Sequence, residues 1–213
     1  MKKSLLLGSI LLALALITPD VFSKETRQIQ PPKKIEYDGL LLAYNPAWKD
    51  EETYVEANLD NDPEPEIVIS FVAFYKTEPE KKERETAIFV PEKQELLPVY
   101  NYVFYQIYDL GPDKKYALTK TLTGMDRPGQ IQLFQPEQEK PPAIVFISPG
   151  GAHYKDVLVL RWQEGGYRHI FNQDTRGEVE VGPAGIRLGE QLYIWNARTG
   201  NLERQKDETA KDG

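Results

Sequence analysis

Oxygen-bearing side chains recur at every second position in one short acidic segment of the chain. The segment contains Asn58, Asp60, Asp62, Glu64 and Glu66, and an apolar run begins immediately after it. Proteins bind Ca²⁺ through about six to eight oxygen ligands from short, flexible loops, so a tight turn here would direct several of these oxygens at one point. The spacing therefore predicts a calcium site with these five residues as ligands.

The same segment has a second interpretation that involves no ion. Asp side chains in turns commonly accept hydrogen bonds from backbone N–H groups, so Asp60 and Asp62 would only cap a solvated turn that precedes a strand. In the metal interpretation, Glu66 closes the site with its carboxylate and Glu64 contributes its backbone carbonyl. Such a site would bind Ca²⁺ weakly, near the millimolar affinities of extracellular modules.

Sequence motifs of several common enzyme classes do not occur. The chain has no Gly-x-Ser-x-Gly elbow, no His-Glu-x-x-His zinc motif and no Gly-Lys-Ser/Thr phosphate loop. Its two histidines, His153 in a glycine-containing turn and His169 in a predicted strand, are interpreted as ordinary loop and strand residues. The sequence therefore predicts that the protein is not an enzyme.

The elements that would position the acidic segment are predicted to be strands. Runs of β-branched, aromatic and aliphatic residues bounded by Gly, Pro, Asn and Asp are typical of strands, and they cover residues 40–44, 66–75, 101–110, 116–122, 130–134, 143–147, 156–162, 167–171, 178–181, 185–188 and 191–195. No apolar pattern keeps a helical period over three turns after residue 23, although 91–97 fits one helical turn. The predicted fold class is all-β.

Three features of the first half recur in the same order in the second half. The strand at 66–71 is echoed at 143–148, the hairpin that starts at 102 is echoed at 156, and the segment 129–133 is echoed at 177–181. Recurrence of this kind is typical of repeated structural units. We therefore expect two units, roughly 54–134 and 143–198, each with a strand, a hairpin and a short strand.

The acidic loop and the strand after it resemble the calcium-binding FG-GAP or VCBS repeats of integrin-α-type β-propellers. In that pattern Asp or Asn occupies positions one, three, five and nine, and these positions hold Asn58, Asp60, Asp62 and Glu66 here, with Pro65 at the frequent proline position eight. The sequence departs from the pattern at position six, where Pro63 replaces a glycine that normally adopts positive φ.

The resemblance implies calcium binding and two propeller-blade-like antiparallel units. Two units cannot close a propeller ring, so the expected architecture is a small open or sandwich-like β domain. The resemblance covers one loop well and the repeated unit more loosely.

Residues 1–23 have the features of a secretory signal peptide. Lys2 and Lys3 precede an apolar run at 5–17, and small residues lead to an expected cleavage after Ser23. The run is shorter than the about 20 apolar residues of a membrane span. We therefore expect an exported protein, periplasmic or secreted, without stable membrane insertion after cleavage; the alternative is an uncleaved N-terminal anchor.

Composition limits the classes of partner. The chain has no cysteine, so an exported form would fold without disulfides. Its net charge of −7 becomes −8 without residues 1–23, which disfavours nucleic-acid binding. After the signal peptide we expect a flexible lead-in at 24–39, a β domain at 40–198 and a charged tail at 199–213.

The function predicted from these observations is that of an exported β-rich binding or interaction module of the cell envelope. Its ligand would be a protein or a carbohydrate. Two alternatives remain open, a periplasmic glycan-directed hydrolase and a structural partner in an envelope assembly.

Overall fold

The fold is built almost wholly from antiparallel strands. The computed structural model describes residues 29–76, 86–90, 95–151 and 153–206, and the predicted signal peptide and residues 207–213 lie outside them. The strands of the described part are Lys34–Tyr37 (β1), Leu40–Tyr44 (β2), Tyr54–Ala57 (β3), Glu66–Lys76 (β4), Thr86–Val90 (β5), Glu95–Leu110 (β6), Tyr116–Thr123 (β7), Gln130–Phe134 (β8), Ala143–Gly150 (β9), Tyr154–Gln163 (β10), Gly166–Thr175 (β11), Val179–Gly182 (β12), Gly185–Leu188 (β13), Gln191–Asn196 (β14) and Asn201–Arg204 (β15). A 3-10 helix, Pro46–Glu51, lies between β2 and β3. The predicted all-β class is confirmed.

The strands form three antiparallel sheets. Sheet A has the order β1-β2-β4-β6-β5, with β3 beside β4 and β7 beside β6. Sheet B contains β8 to β11 and sheet C contains β12 to β15, each in chain order. Strands β4 and β6 form the long centre of sheet A, paired from Ile67 with Tyr108 to Lys76 with Val99.

Sheet B lies between the other two sheets. On β9, Ile144 and Phe146 pack into the core shared with sheet A, whereas Val145 and Ile147 pack into the core shared with sheet C. Side chains alternate between the two faces of a strand, so a strand buried on both faces needs apolar residues throughout. This is why residues 143–147 read as a continuous apolar run.

The outer faces of sheets A and C, on either side of sheet B, carry different kinds of side chain. The β1–β2 hairpin contributes Leu42 and Tyr37 to the core on the outer face of sheet A, where the Tyr37 ring meets Phe104 edge-on at 5.4 Å between centroids. On the outer face of sheet C, Arg187 lies 3.8 Å from Glu180. An exposed pair of charged side chains therefore lies on that outer face, where no further sheet of the described chain covers it.

The grouping of strands differs from the two units predicted from the sequence. Gln130–Phe134 does not complete the first unit but pairs with β9 as the first strand of sheet B. Val179–Gly182 is likewise the first strand of sheet C. The described chain therefore forms three four-stranded meanders, which are β3-β4-β6-β7 within sheet A, β8–β11 and β12–β15. The echoed strand and hairpin occupy the second to fourth positions of the first two meanders. The echoed short segments contain the first strands of the second and third meanders.

The glycine before β8 has a steric role. A Cβ at Gly129 would lie 2.0 Å from the carbonyl oxygen of Ile147 and 2.5 Å from the hydroxyl of Tyr105. Only glycine allows this close approach between the start of β8 and the end of β9. The echoed Gly177, before β12, packs in the same way against Gly189, with 2.7 Å from a Cβ to the Cα of Gly189.

Two segments expected to be irregular contain strands. The predicted flexible lead-in includes β1, because Ile35 and Tyr37 alternate toward the core on sheet A. The predicted charged tail includes β15, because Leu202 is buried in the core between sheets B and C. Residues 95–97 of the expected helical turn belong to β6, and 91–94 lie outside the described residues. Within the described part of the chain, no helix is long and apolar enough to span a membrane.

Candidate metal centre

The acidic loop connects β3 to β4, whose facing ends pair Ala57 with Glu66. Asp60 Oδ1 accepts a hydrogen bond from the N–H of Asp62 at 2.8 Å, and Asp62 Oδ1 accepts one from the N–H of Glu64 at 3.0 Å. These are two successive turns closed by Asp side chains. They curve the loop although no residue from 58 to 66 has positive φ, so the proline at position 63 is accommodated.

The loop brings three carboxylates together. Asp60, Asp62 and Glu66 each offer an oxygen, and these oxygens all lie within 4.8 Å of one another. Glu66 is fully buried and Asp60 is nearly so. Because carboxylate oxygens are the preferred ligands of hard divalent cations, this cluster could bind a metal ion.

Glu66 is the most constrained of the three. Its Oε2 accepts a hydrogen bond from the N–H of Leu59, but its Oε1 has no hydrogen-bond partner among the described residues. Burial, with a smaller contribution from the charges of Asp60 and Asp62, raises the pKa of Glu66 to about 7. A proton or a cation is needed to make this carboxylate favourable in its site.

Two residues distant in sequence bring further unpartnered oxygens to the same region. Asp109 Oδ1 and the hydroxyl of Tyr167 are buried and make no hydrogen bond to any residue that the structure describes. Burial, and then the charges of Asp62 and Asp60, raise the pKa of Asp109. Burial, and then the charges of Glu66 and Asp60, raise the pKa of Tyr167. Both side chains therefore lie within electrostatic reach of the cluster.

The other two residues of the predicted ligand set have visible structural roles. Asn58 Nδ2 donates a hydrogen bond to the carbonyl oxygen of Asp62, which closes the loop. The carboxylate of Glu64 lies 3.7 Å from Lys114 Nζ in the turn between β6 and β7. The Oδ1 atom of Asn58 and the backbone carbonyl of Glu64 stay predicted ligands.

The loop forms one wall of an open pocket of about 410 Å³. Asn58, Asp60, Asn61 and Asp62 line one side, and residues 138–142, which join β8 to β9, line the other. Gln135 holds this second wall in place, because its Nε2 donates to the carbonyl oxygens of Glu137 and Lys140. The cluster is therefore closed on the side of Glu66 and open on the side of Asp60 and Asp62.

An ion pair between the buried Arg161 and the partly exposed Glu137 fixes the second wall to the body of the protein. Arg161 Nη1 lies 2.7 Å from Glu137 Oε2, and the guanidinium carbon lies 4.6 Å from the centre of the Trp195 ring. The Arg161 side chain is only 4% exposed. The pocket wall is thus anchored at the junction of sheets B and C.

Known proteins provide no further guide to this site. Comparison of the chain with protein-family models, curated proteins and solved structures found no match. The chemistry of the site follows from its geometry alone: a buried carboxylate cluster, open on one side to a polar pocket.

Proposed function

We propose that this protein is an exported β-rich binding module that holds one Ca²⁺ in the loop from Asn58 to Glu66. The observation that carries the proposal is the fully buried Glu66, whose Oε1 has no partner among the described residues beside two further carboxylates. Two like charges about 4 Å apart repel by roughly 4 kcal/mol at an effective dielectric constant of about 20. A divalent cation replaces this repulsion with attraction.

The donor set favours calcium over other common ions. The three clustered ligands are all carboxylates, and the chain has no cysteine to bind a softer metal. Ca²⁺ accepts irregular oxygen shells at about 2.3–2.6 Å, whereas Mg²⁺ requires nearly ideal octahedral geometry at about 2.0–2.1 Å. A loop curved by side-chain hydrogen bonds, without a glycine at position six, suits the less demanding ion.

The pocket supports a binding role for the ion. An ion held by Asp60 and Asp62 would face the pocket, where water or ligand oxygens complete its coordination. The opposite wall offers Gln138 and Lys140, which are hydrogen-bond donors for a polar ligand. A protein or carbohydrate with several oxygen atoms fits this chemistry.

The arrangement of the sheets supports the resemblance to propeller repeats. The first strands of the three meanders lie beside one another, with β3 in contact with β8 and β8 in contact with β12. Propeller blades are four-stranded antiparallel sheets arranged around a central axis. We propose that the three sheets are propeller-blade-like units in an open array, and that residues 1–23 direct the protein to the periplasm or the exterior.

Thermal unfolding with added Ca²⁺ or with chelator tests the proposed ion. At free Ca²⁺ about ten times Kd, the folded state gains about 1.4 kcal/mol, which corresponds to a Tm increase of roughly 3–6 °C. The variant Asp60→Ala with Asp62→Ala should lose this increase. A matched variant, Glu180→Ala with Glu190→Ala, removes two exposed carboxylates from sheet C and should keep it. An unchanged Tm at millimolar Ca²⁺ would refute the proposed ion.

A further inference from the structure

We infer that the Tyr167 hydroxyl completes the oxygen shell of the bound ion, directly or through one water, so that the ion ties sheet B to the acidic loop of sheet A. This inference rests on the proposed calcium site. It adds a residue that the loop pattern does not contain, contributed by a different sheet.

The position of Tyr167 is fixed by packing. Its ring lies in the core between sheets A and B together with Leu59 and Val68, and it meets Trp162 edge-on with 5.1 Å between ring centroids. Leu59 belongs to the acidic loop, and its N–H is the donor to Glu66. The phenol therefore shares one core with Leu59, the loop residue whose N–H is the donor to the buried carboxylate.

The hydroxyl of Tyr167 needs a partner that the described residues do not supply. Tyr167 is only 8% exposed, and its hydroxyl makes no hydrogen bond to any of these residues. Glu66 Oε1 is in the same condition, so the two oxygens do not satisfy each other. Buried polar groups are almost always hydrogen-bonded, to protein or to ordered water. An ion with its water shell between the two oxygens satisfies both.

The consequence is a link between two sheets. Asp60 and Asp62 belong to the β3–β4 loop and Glu66 begins β4 of sheet A, whereas Tyr167 belongs to β11 of sheet B. Apolar packing holds the two sheets together across this interface. An ion in contact with both adds a directional contact, so Ca²⁺ should order the start of β11 as well as the loop.

The variant Tyr167→Phe tests the inference, with Tyr105→Phe as its matched control. Tyr105 is also buried in the same core, and its hydroxyl likewise has no hydrogen-bond partner among the described residues. That hydroxyl lies near Gly129 and Ser148, not near the loop carboxylates, so the two variants differ in place and not in kind. Loss of a residue that supports a metal site typically costs about 10–100-fold in affinity. We expect Tyr167→Phe to raise the Kd for Ca²⁺ about tenfold or more, and Tyr105→Phe to leave it unchanged.

Measurements on the metal-free proteins separate a role of Tyr167 in Ca²⁺ binding from a role in core packing. In chelator, Tyr167→Phe should melt no lower than the wild type, because the substitution removes an unpartnered hydroxyl. In hydrogen exchange, Ca²⁺ should protect amides at 164–170 in the wild type and not in Tyr167→Phe. Unchanged Ca²⁺ affinity and equal protection in Tyr167→Phe would overturn the inference and leave the loop site intact. Absence of Ca²⁺ binding by the wild type would overturn both.

Discussion

A carboxylate that is wholly buried requires a proton, a cation or several hydrogen-bond donors. Glu66 has one donor, the N–H of Leu59, and its second oxygen has none among the described residues. The neighbouring Asp60 and Asp62 increase the cost of its charge. At the scale of single residues, the ionised form of the site is therefore unfavourable without a cation, and this is the physical reason for proposing one.

The variant Glu66→Gln should separate the destabilising effect of the buried charge from its proposed role in binding Ca²⁺. Because the pKa of Glu66 is raised to about 7, its ionised form destabilises the folded state at pH 8. In chelator at pH 8, Glu66→Gln should therefore unfold at higher urea concentration, with a gain of about 1–3 kcal/mol, given about 1.4 kcal/mol per pKa unit. The variant should gain little further stability from Ca²⁺.

The control for this experiment is Glu64→Gln in the same loop. Its carboxylate is paired with the exposed Lys114, so removal of the charge should change stability by less than about 1 kcal/mol. A lower stability of Glu66→Gln than of wild type in chelator would show that the ionised Glu66 carboxylate does not destabilise the folded state.

Sequence reasoning indicated the three clustered carboxylates and gave no signal for Asp109 and Tyr167, which lie on distant strands. Asp60, Asp62 and Glu66 follow from alternating spacing within one loop. Asp109 would have required the register of β4 and β6, in which Ile67 pairs with Tyr108 and Asp109 follows one position beyond. Tyr167 has no local signal, because only the packing of sheet B on sheet A brings it to the loop.

At the scale of elements, composition predicted strands better than it predicted their partners. The run at 143–147 and the hairpin around residues 164–166 needed only local patterns. The pairing of β8 with β9 did not follow, because an echo in sequence gives the order of strands but not where one sheet ends. Strands β1, β3, β5 and β15 were not predicted, and their length is not the reason, because β12 and β13 have only four residues each and were predicted.

The pocket wall at 138–142 depends on the pair between Glu137 and Arg161. The hydrogen bond from Arg161, followed by that from Lys140, lowers the pKa of Glu137 from its ordinary value near 4.5. A carboxylate with a lowered folded-state pKa contributes stability above its ordinary pKa, and this contribution is lost as pH falls through the lowered value. The variant Glu137→Gln should lose about 1–3 kcal/mol at pH 7.

Urea unfolding between pH 7 and pH 3 measures this contribution. The difference between wild type and Glu137→Gln should shrink below about pH 4.5, because the wild-type carboxylate then becomes protonated. The exposed neighbour Glu139, changed to Gln, serves as the control and should follow the wild type. A difference that stays constant over the whole pH range would contradict the ion-pair account.

At the scale of the whole molecule, the proposed ion lies where two of the three sheets meet. The acidic loop comes from sheet A, the opposite pocket wall comes from the connection between β8 and β9 of sheet B, and Arg161 with Trp195 connects that wall to sheet C. The two walls of the pocket are therefore connected to all three sheets.

Export should remove the first segment of the chain. The positive residues, apolar run and small residues of 1–23 predict a mature protein that starts near Lys24. Intact-mass measurement of exported material should give the mass of residues 24–213. An exported form that retains residues 1–23 would instead support an uncleaved anchor.

Titration with Ca²⁺ followed by ¹H–¹⁵N NMR tests the central claim most directly, because it locates weak binding residue by residue. We expect saturable shifts of the amides of the non-proline residues from 58 to 66, together with Asp109 and Tyr167, with one Kd near the millimolar range of extracellular calcium modules. Asp60→Ala with Asp62→Ala should abolish them. Shifts that are absent at millimolar Ca²⁺, or that spread over exposed carboxylates without saturation, would contradict a calcium site in this loop.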